Sequence, residues 1–249
     1  MSGHSKWATI KRKKAANDSA RGKIFTRLIK EISIAARDGG GDPDGNPRLR
    51  LAIQSAKASN MPADNIKRAI QKGTGELPGV SYEEITYEGY GPGGIAILIN
   101  VVTDNKNRTV SELRHLLSRN NAKLAEVGSV AWMFEKKGVI TLAKSGIKED
   151  DIMELVLEAG ADDLKVEDTC FEITTPPDVF YNVKKSLEDK NFTAESADLQ
   201  MVPKDTVKLD GKDAEQCLKL MEALEEHDDI QNISSNFDID ESVIASLSN

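Results

Sequence analysis

Apolar residues recur at helical spacing between Arg21 and Arg37, where Ile24, Phe25, Leu28, Ile29 and Ile32 lie mostly three or four positions apart. Gly39 follows as a stop signal, so the pattern predicts a helix. At about 100° per residue these side chains line one side, and Lys23, Arg27, Lys30 and Arg37 fall on the other. One side is expected to pack and the other to form a cationic stripe. Asn46 and Pro47 open a shorter helix as cap and first position, and Pro62 opens another that runs to Gly73. The first carries Arg48, Arg50 and Lys57, the second Lys67, Arg68 and Lys72. Residues 20–75 therefore read as a small helical bundle, with the first 18 residues as a basic arm.

After a linker at Thr74 to Val80 the period becomes that of strands. Tyr82 to Tyr90 and Ile95 to Thr103 predict two strands joined at GYGPGG, followed by a helix from Lys106 to Asn120 and a third strand from Ser129 to Phe134. Gly138 to Leu142 predicts a strand, Lys148 to Ala159 a helix, and Leu164 to Asp168 with Cys170 to Thr174 a hairpin. Asp178 to Lys190 is a further helix and Thr193 to Val202 a further strand. That order, β-α-β-β-α-β, is the ferredoxin-like split arrangement. A helix from Asp213 to His227 and a strand from Ile230 to Phe237 then complete the sheet begun at Tyr82.

The expected fold class is α+β: an N-terminal helical bundle followed by two α/β sandwich domains, the inserted one ferredoxin-like. The boundaries are 1–78 for the arm and bundle, 79–135 with 203–249 for a discontinuous domain, and 136–202 for the insertion. The most apolar run, Ile95 to Val102, is less than half the roughly 20 residues that span a bilayer, so it reads as a buried strand and no membrane partner is expected.

Charge changes this picture. The chain is acidic, with net charge -8, yet residues 1–80 hold 16 Lys and Arg against 7 Asp and Glu, while residues 81–249 hold 17 against 34. The arm contains Lys6, Trp7 and the run Lys11, Arg12, Lys13 and Lys14. Solubility needs no such separation, whereas a phosphate-rich partner rewards it through counterion release. The partner is expected to be nucleic acid. Trp7 is the lone aromatic of the arm, placed either to stack on an unpaired base or to anchor the arm on the bundle.

Other chemistry is not indicated. His4, His115 and His227 stand apart from one another and from both cysteines in sequence, with no HExxH, so no metal site is expected. Asp42, Asp44 and Asn46 fail the calcium-loop pattern, because Pro47 stands at the sixth position and Ile53 at the twelfth. The Gly89 to Gly94 turn lacks the Lys-Ser/Thr pair of a phosphate loop and leads into a strand. There is no GxSxG elbow and no GxGxxG opening a helix, so no cofactor is expected and the chain does not read as an enzyme. Cys170 and Cys217 show no C-x-x-C and no framework spacing, which points to a reducing, cytoplasmic setting.

Four stretches, GHSKWATIKRKKAANDSARGKIFTRLIKEI, GGGDPDGNPRLRLAIQSAKASNMPADNIKRAI, YEEITYEGYGPGGIAILI and NRTVSELRHLLSRNNAKL with GSVAWMF, closely resemble the YebC/PmpR family over nearly the whole chain. The resemblance implies a cytoplasmic, three-domain protein that binds DNA as a transcriptional regulator. For some members it implies instead a translation factor that acts on ribosomes stalled at proline stretches, with ribosomal RNA as the partner. It also implies that the basic segment of Lys6, Lys11 to Lys14, Arg21, Lys23, Arg27 and Lys30 contacts nucleic acid. Ala122 to Val127 departs from the Gly-rich, Leu-Gly-containing segment that more often precedes GSVA in the family.

Overall fold

The computed structural model describes residues 18–144, 149–167, 170–240 and 243. Among these it is an α+β protein with seven helices. Three helices come first: α1 (Asp18–Gly39), α2 (Pro47–Ala58) and α3 (Ala63–Gly73). The apolar side of α1 meets the other two around Ile32, Ala35, Leu49, Ala56, Ile66 and Ala69, all of them buried. Burying an Ile or Leu side chain of this kind contributes about 1.5–3 kcal/mol. Asn46 caps α2 as expected, its Oδ1 accepting the Leu49 N–H at 3.0 Å. Its Nδ2 donates to the Ala35 and Gly40 carbonyls, which also ties the end of α1 to the start of α2. Gly73 sits so close to Ser33 that a Cβ there would run into the α1 backbone.

The first sheet contains β1 (Glu83–Tyr90), β2 (Ala96–Thr103), β3 (Lys123–Leu124) and, far along the chain, β9 (Ile230–Ser235). Its order is β3-β1-β2-β9, antiparallel throughout. The run predicted to be a buried strand is one, and seven of the eight residues of β2 are buried. Helices α4 (Lys106–Arg119) and α7 (Gly211–Glu225) cover one face, where Ile97, Ile99, Leu113, Leu117, Leu220 and Met221 form a core. That core also holds Cys217, whose thiol is pushed up to about 12 by burial.

The second sheet is made of β4 (Phe134–Ala143), β5 (Asp163–Val166), β6 (Cys170–Thr175) and β7 (Ala194–Pro203), in the order β5-β6-β4-β7 and antiparallel throughout. Helices α5 (Glu149–Glu158) and α6 (Phe180–Asp189) supply Ile152, Val156, Phe180 and Val183 to its core. A smaller cluster of Ala96, Leu98, Val130 and Phe134 joins the two sheets. Short β8 (Val207–Lys208) and β10 (Phe237–Asp238) form a separate parallel pair.

The third strand differs from expectation. Ser129 to Phe134 is not a strand: Ala131–Met133 forms a single tight helical turn, and the strand beginning at Phe134 runs unbroken to Ala143. The edge position on β1 goes to Lys123–Leu124 instead. The cause is Glu88, whose carboxylate draws the N–H groups of Gly128, Val130 and Ala131 to itself and away from any strand ladder.

Candidate nucleic-acid interface

The helical bundle is the basic part of the described chain, and the fates of its cations differ. On α1, Lys23 Nζ donates to the Glu226 carbonyl at 3.2 Å and Arg27 donates to the Glu225 carbonyl. Lys30 donates to the carbonyls of Val102 and Asp228 at 3.1 and 3.0 Å and pairs with Asp229 Oδ1 at 2.7 Å. An ammonium has three donors, and all three are used. With only 6 % of its surface exposed, Lys30 has nothing left to offer a phosphate.

These contacts explain why α1 docks where it does. The last carbonyls of a helix lack partners within it, and the C-terminal end carries partial negative charge. Glu225 ends α7 and residues 226–228 follow it, and the cations of α1 meet them there. Asp229 extends the arrangement. Its Oδ2 receives Thr103 and Thr109 hydroxyls at 3.1 and 2.7 Å and the Arg108 guanidinium at 2.9 Å. Burial alone would raise the Asp229 carboxyl, but the hydrogen bonds from Lys30, Thr109 and Arg108 outweigh it and hold the group well below the usual carboxylate range. Burial lowers the pKa of Arg27, with Asp228 opposing the shift.

The expectation that the polar side of α1 is a free cationic stripe is therefore corrected: both sides of this helix pack. A helical wheel shows which residues share a side, and it cannot show that a partner 199 residues away covers that side. On α2, Arg48 is similarly engaged, forming a two-pronged pair with Glu31 at 2.7 and 3.1 Å and a further contact with Glu84 at 3.0 Å. Burial lowers its pKa, and the bonds to Glu31 and Glu84 more than reverse that shift. Arg50 is exposed, but it donates to the Pro43 and Asp44 carbonyls.

Two predicted contacts do remain open. Lys67 and Arg68 lie side by side on the solvent side of α3, with Lys72 one turn on, all exposed. None of the three makes an ion pair with a described residue. Lys57 at the end of α2 is exposed as well. Lys6, Trp7, Lys11, Arg12, Lys13, Lys14 and the side chain of Arg21 lie outside the described residues.

Sequence reasoning missed Asp229, Thr103, Thr109 and Arg108, which meet only when β2, α4 and the turn before β9 are assembled. Beside them His227 accepts the Asp229 N–H on Nδ1 at 3.1 Å and lies 3.1 Å from Glu112 through Nε2. An acceptor Nδ1 places the ring proton on Nε2, facing Glu112. Glu112, His227 and Asp229 have ligand atoms within 4.8 Å of one another, the spacing of a cation site. Lys30 and Arg108 already neutralise Asp229, so the group reads as part of the clasp between α1 and the first sheet. The Asp42 to Asn46 turn is closed locally, the Asp44 N–H donating to Asp42 Oδ1 at 3.0 Å. Both cysteines are free and buried, and no helix among the described residues is long and apolar enough to cross a membrane.

Residues 5–76 match the TACO1/YebC protein N-terminal domain, and residues 82–237 match the TACO1/YebC second and third domain. A "Probable transcriptional regulatory protein" of Chloroherpeton thalassium is 57% identical over 248 residues, covering 99% of each chain. One from Chlorobaculum parvum is 58% identical with the same coverage. The crystal structure of a conserved hypothetical protein, Aq1575, from Aquifex aeolicus superposes with a TM-score of 0.83 at 44% identity, covering 90% of this chain and 93% of that one. On these matches, which take in both the bundle and the two sheets, the chain belongs to the YebC/PmpR family, also described as TACO1/YebC.

Proposed function

We propose that this protein is a cytoplasmic, non-enzymatic regulator that binds duplex DNA through its basic N-terminal segment and so controls transcription. The observation that carries the reading is the division of charge, 16 cations to 7 acids in residues 1–80 against 17 to 34 beyond. The names of its relatives as probable transcriptional regulatory proteins agree with it. In this reading the arm with Lys11 to Lys14 and the solvent side of α3 with Lys67 and Arg68 contact phosphates. Lys30 and Arg48 hold the bundle in place. The domain division that accompanies it is 1–78, 79–135 with 203–249, and 136–202, the last a ferredoxin-like insertion.

A second reading, a ribosome-associated factor that binds structured RNA, is favoured by one observation. The longest cationic helix, α1, has its basic side turned to α7, so it does not offer that side to a major groove. Crosslinking the protein in cells and sequencing the bound nucleic acid separates the two. Promoter DNA supports the first reading and ribosomal RNA the second. Recovery of neither overturns both.

A further inference from the structure

Trp132 is the one exposed aromatic residue among those described, with 66% of its surface in water. An aromatic side chain buries 150–250 Å² when it packs, so leaving one outside forgoes a large stabilisation. Here the exposure is built in. Glu88, only 6% exposed, accepts the N–H groups of Gly128 and Val130 at 2.6 Å and of Ala131 at 2.9 Å. Burial would raise this carboxyl, and the backbone donors more than reverse the effect. Trp132 Nε1 and the Tyr90 hydroxyl both donate to the Ser129 carbonyl, at 3.1 and 3.3 Å, and Lys204 Nζ donates to the Trp132 carbonyl at 2.9 Å. The loop is thus pinned from inside while it leaves its tryptophan in solvent.

Cations lead to it. Past Arg119 the chain turns at Asn121, with φ of 53°, and enters the edge strand β3 at Lys123. Lys123 Nζ stands 6.0 Å from the ring centre of Tyr90, whose hydroxyl bonds the carbonyl that also holds Trp132. Exposed Glu126 in the same loop is an acid set against these lysines.

We propose that this edge of the first sheet is a second nucleic-acid-binding site that takes a single-stranded segment, with a base stacked on Trp132 and phosphates on Lys123 and Lys204, whose ammonium groups stand against the Tyr90 ring and the Trp132 carbonyl. The inference rests on the nucleic-acid reading above and extends it to a region that reading leaves unused. A duplex does not fit the site, since its base faces are covered by their neighbours. An unpaired base offers a face to an aromatic ring, and stacking of this kind tolerates any sequence.

The test uses the full chain and three probes: an oligouridine and an oligothymidine of about 12 nucleotides, and a duplex. Trp132→Ala is expected to weaken single-strand binding roughly tenfold or more, and Trp132→Phe to restore most of it. Duplex affinity should stay within about twofold in both variants. In a Trp7→Phe chain, where Trp132 is the remaining tryptophan, its emission should quench in a saturable way as single strand is added. Tighter binding of uridine than thymidine assigns the site to RNA, and the reverse to DNA. The inference alone is overturned if single strands bind with Trp132→Ala unchanged and emission unmoved, or if the duplex weakens equally. An unaltered chain that binds no probe overturns both this inference and the proposed function.

Discussion

Helices α1 and α3 both belong to the basic bundle and both carry cations opposite an apolar side, yet the fold treats them differently. Lys23, Arg27 and Lys30 of α1 are consumed by carbonyls after α7 and by Asp229. Lys67, Arg68 and Lys72 of α3 stand in solvent without an ion pair to a described residue. What decides is the supply of acceptors across the way. A helix end with unpartnered carbonyls and a buried carboxylate faces α1, and the open side of α3 meets no such group among the described residues. Cation density in sequence therefore marks electrostatic capacity, and only the packing tells whether that capacity serves the fold or a ligand.

Breaking the consumed set should have the largest effect. Asp229→Ala leaves Lys30 buried with an uncompensated charge and is expected to cost about 3–5 kcal/mol, read as a fall in melting temperature. Replacing the pair together, Lys30→Met with Asp229→Leu, should recover much of that loss. If Asp229→Ala melts like the parent, the clasp does not hold the bundle.

Next in size is the arm. Replacing Lys11, Arg12, Lys13 and Lys14 by Ala is expected to weaken nucleic-acid binding by roughly one to two orders of magnitude at moderate salt, through loss of up to about four phosphate contacts. Melting should be unchanged, and a variant that melts early or binds normally contradicts the assignment. Lys67→Gln with Arg68→Gln should weaken binding less, by roughly tenfold, again without loss of stability, since surface changes usually stay within about 0.5 kcal/mol. Affinity measured by anisotropy checks both.

The smallest effect expected is with pH. Asp229 is depressed in the folded state, so its contribution is complete above its unfolded value of about 3.9 and is lost as pH falls below that value. Melting temperatures followed from about pH 6 to about pH 3 should fall more for the parent than for Asp229→Asn, which has no carboxyl to protonate. Equal falls in both would remove Asp229 from the account.

Local signals made much of this legible in the sequence. Asn46 with Pro47, the stop at Gly73 and the largely apolar run of β2 are written in consecutive residues, and helices and strands stand there. The third strand failed because apolar spacing at Val130 to Phe134 looks strand-like, while Glu88, some 40 residues away, takes the N–H groups. Strands β8 and β10 are two residues each, too short to show a period. The open cations Lys67 and Arg68 were within reach of sequence reasoning, as exposed positions on an amphipathic helix. Lys30 was not, because its partner Asp229 lies far along the chain.

The salt dependence of nucleic-acid affinity in paired variants tests the central claim most directly. Each phosphate contact on a duplex contributes about -0.9 to the slope of log affinity against log salt. Lys67→Gln with Arg68→Gln should flatten the slope by roughly 2, while Lys23→Gln with Arg27→Gln should leave it unchanged and lower the melting temperature. A slope that flattens in the α1 variant and not in the α3 variant would contradict the division between cations that hold the fold and cations that meet the ligand.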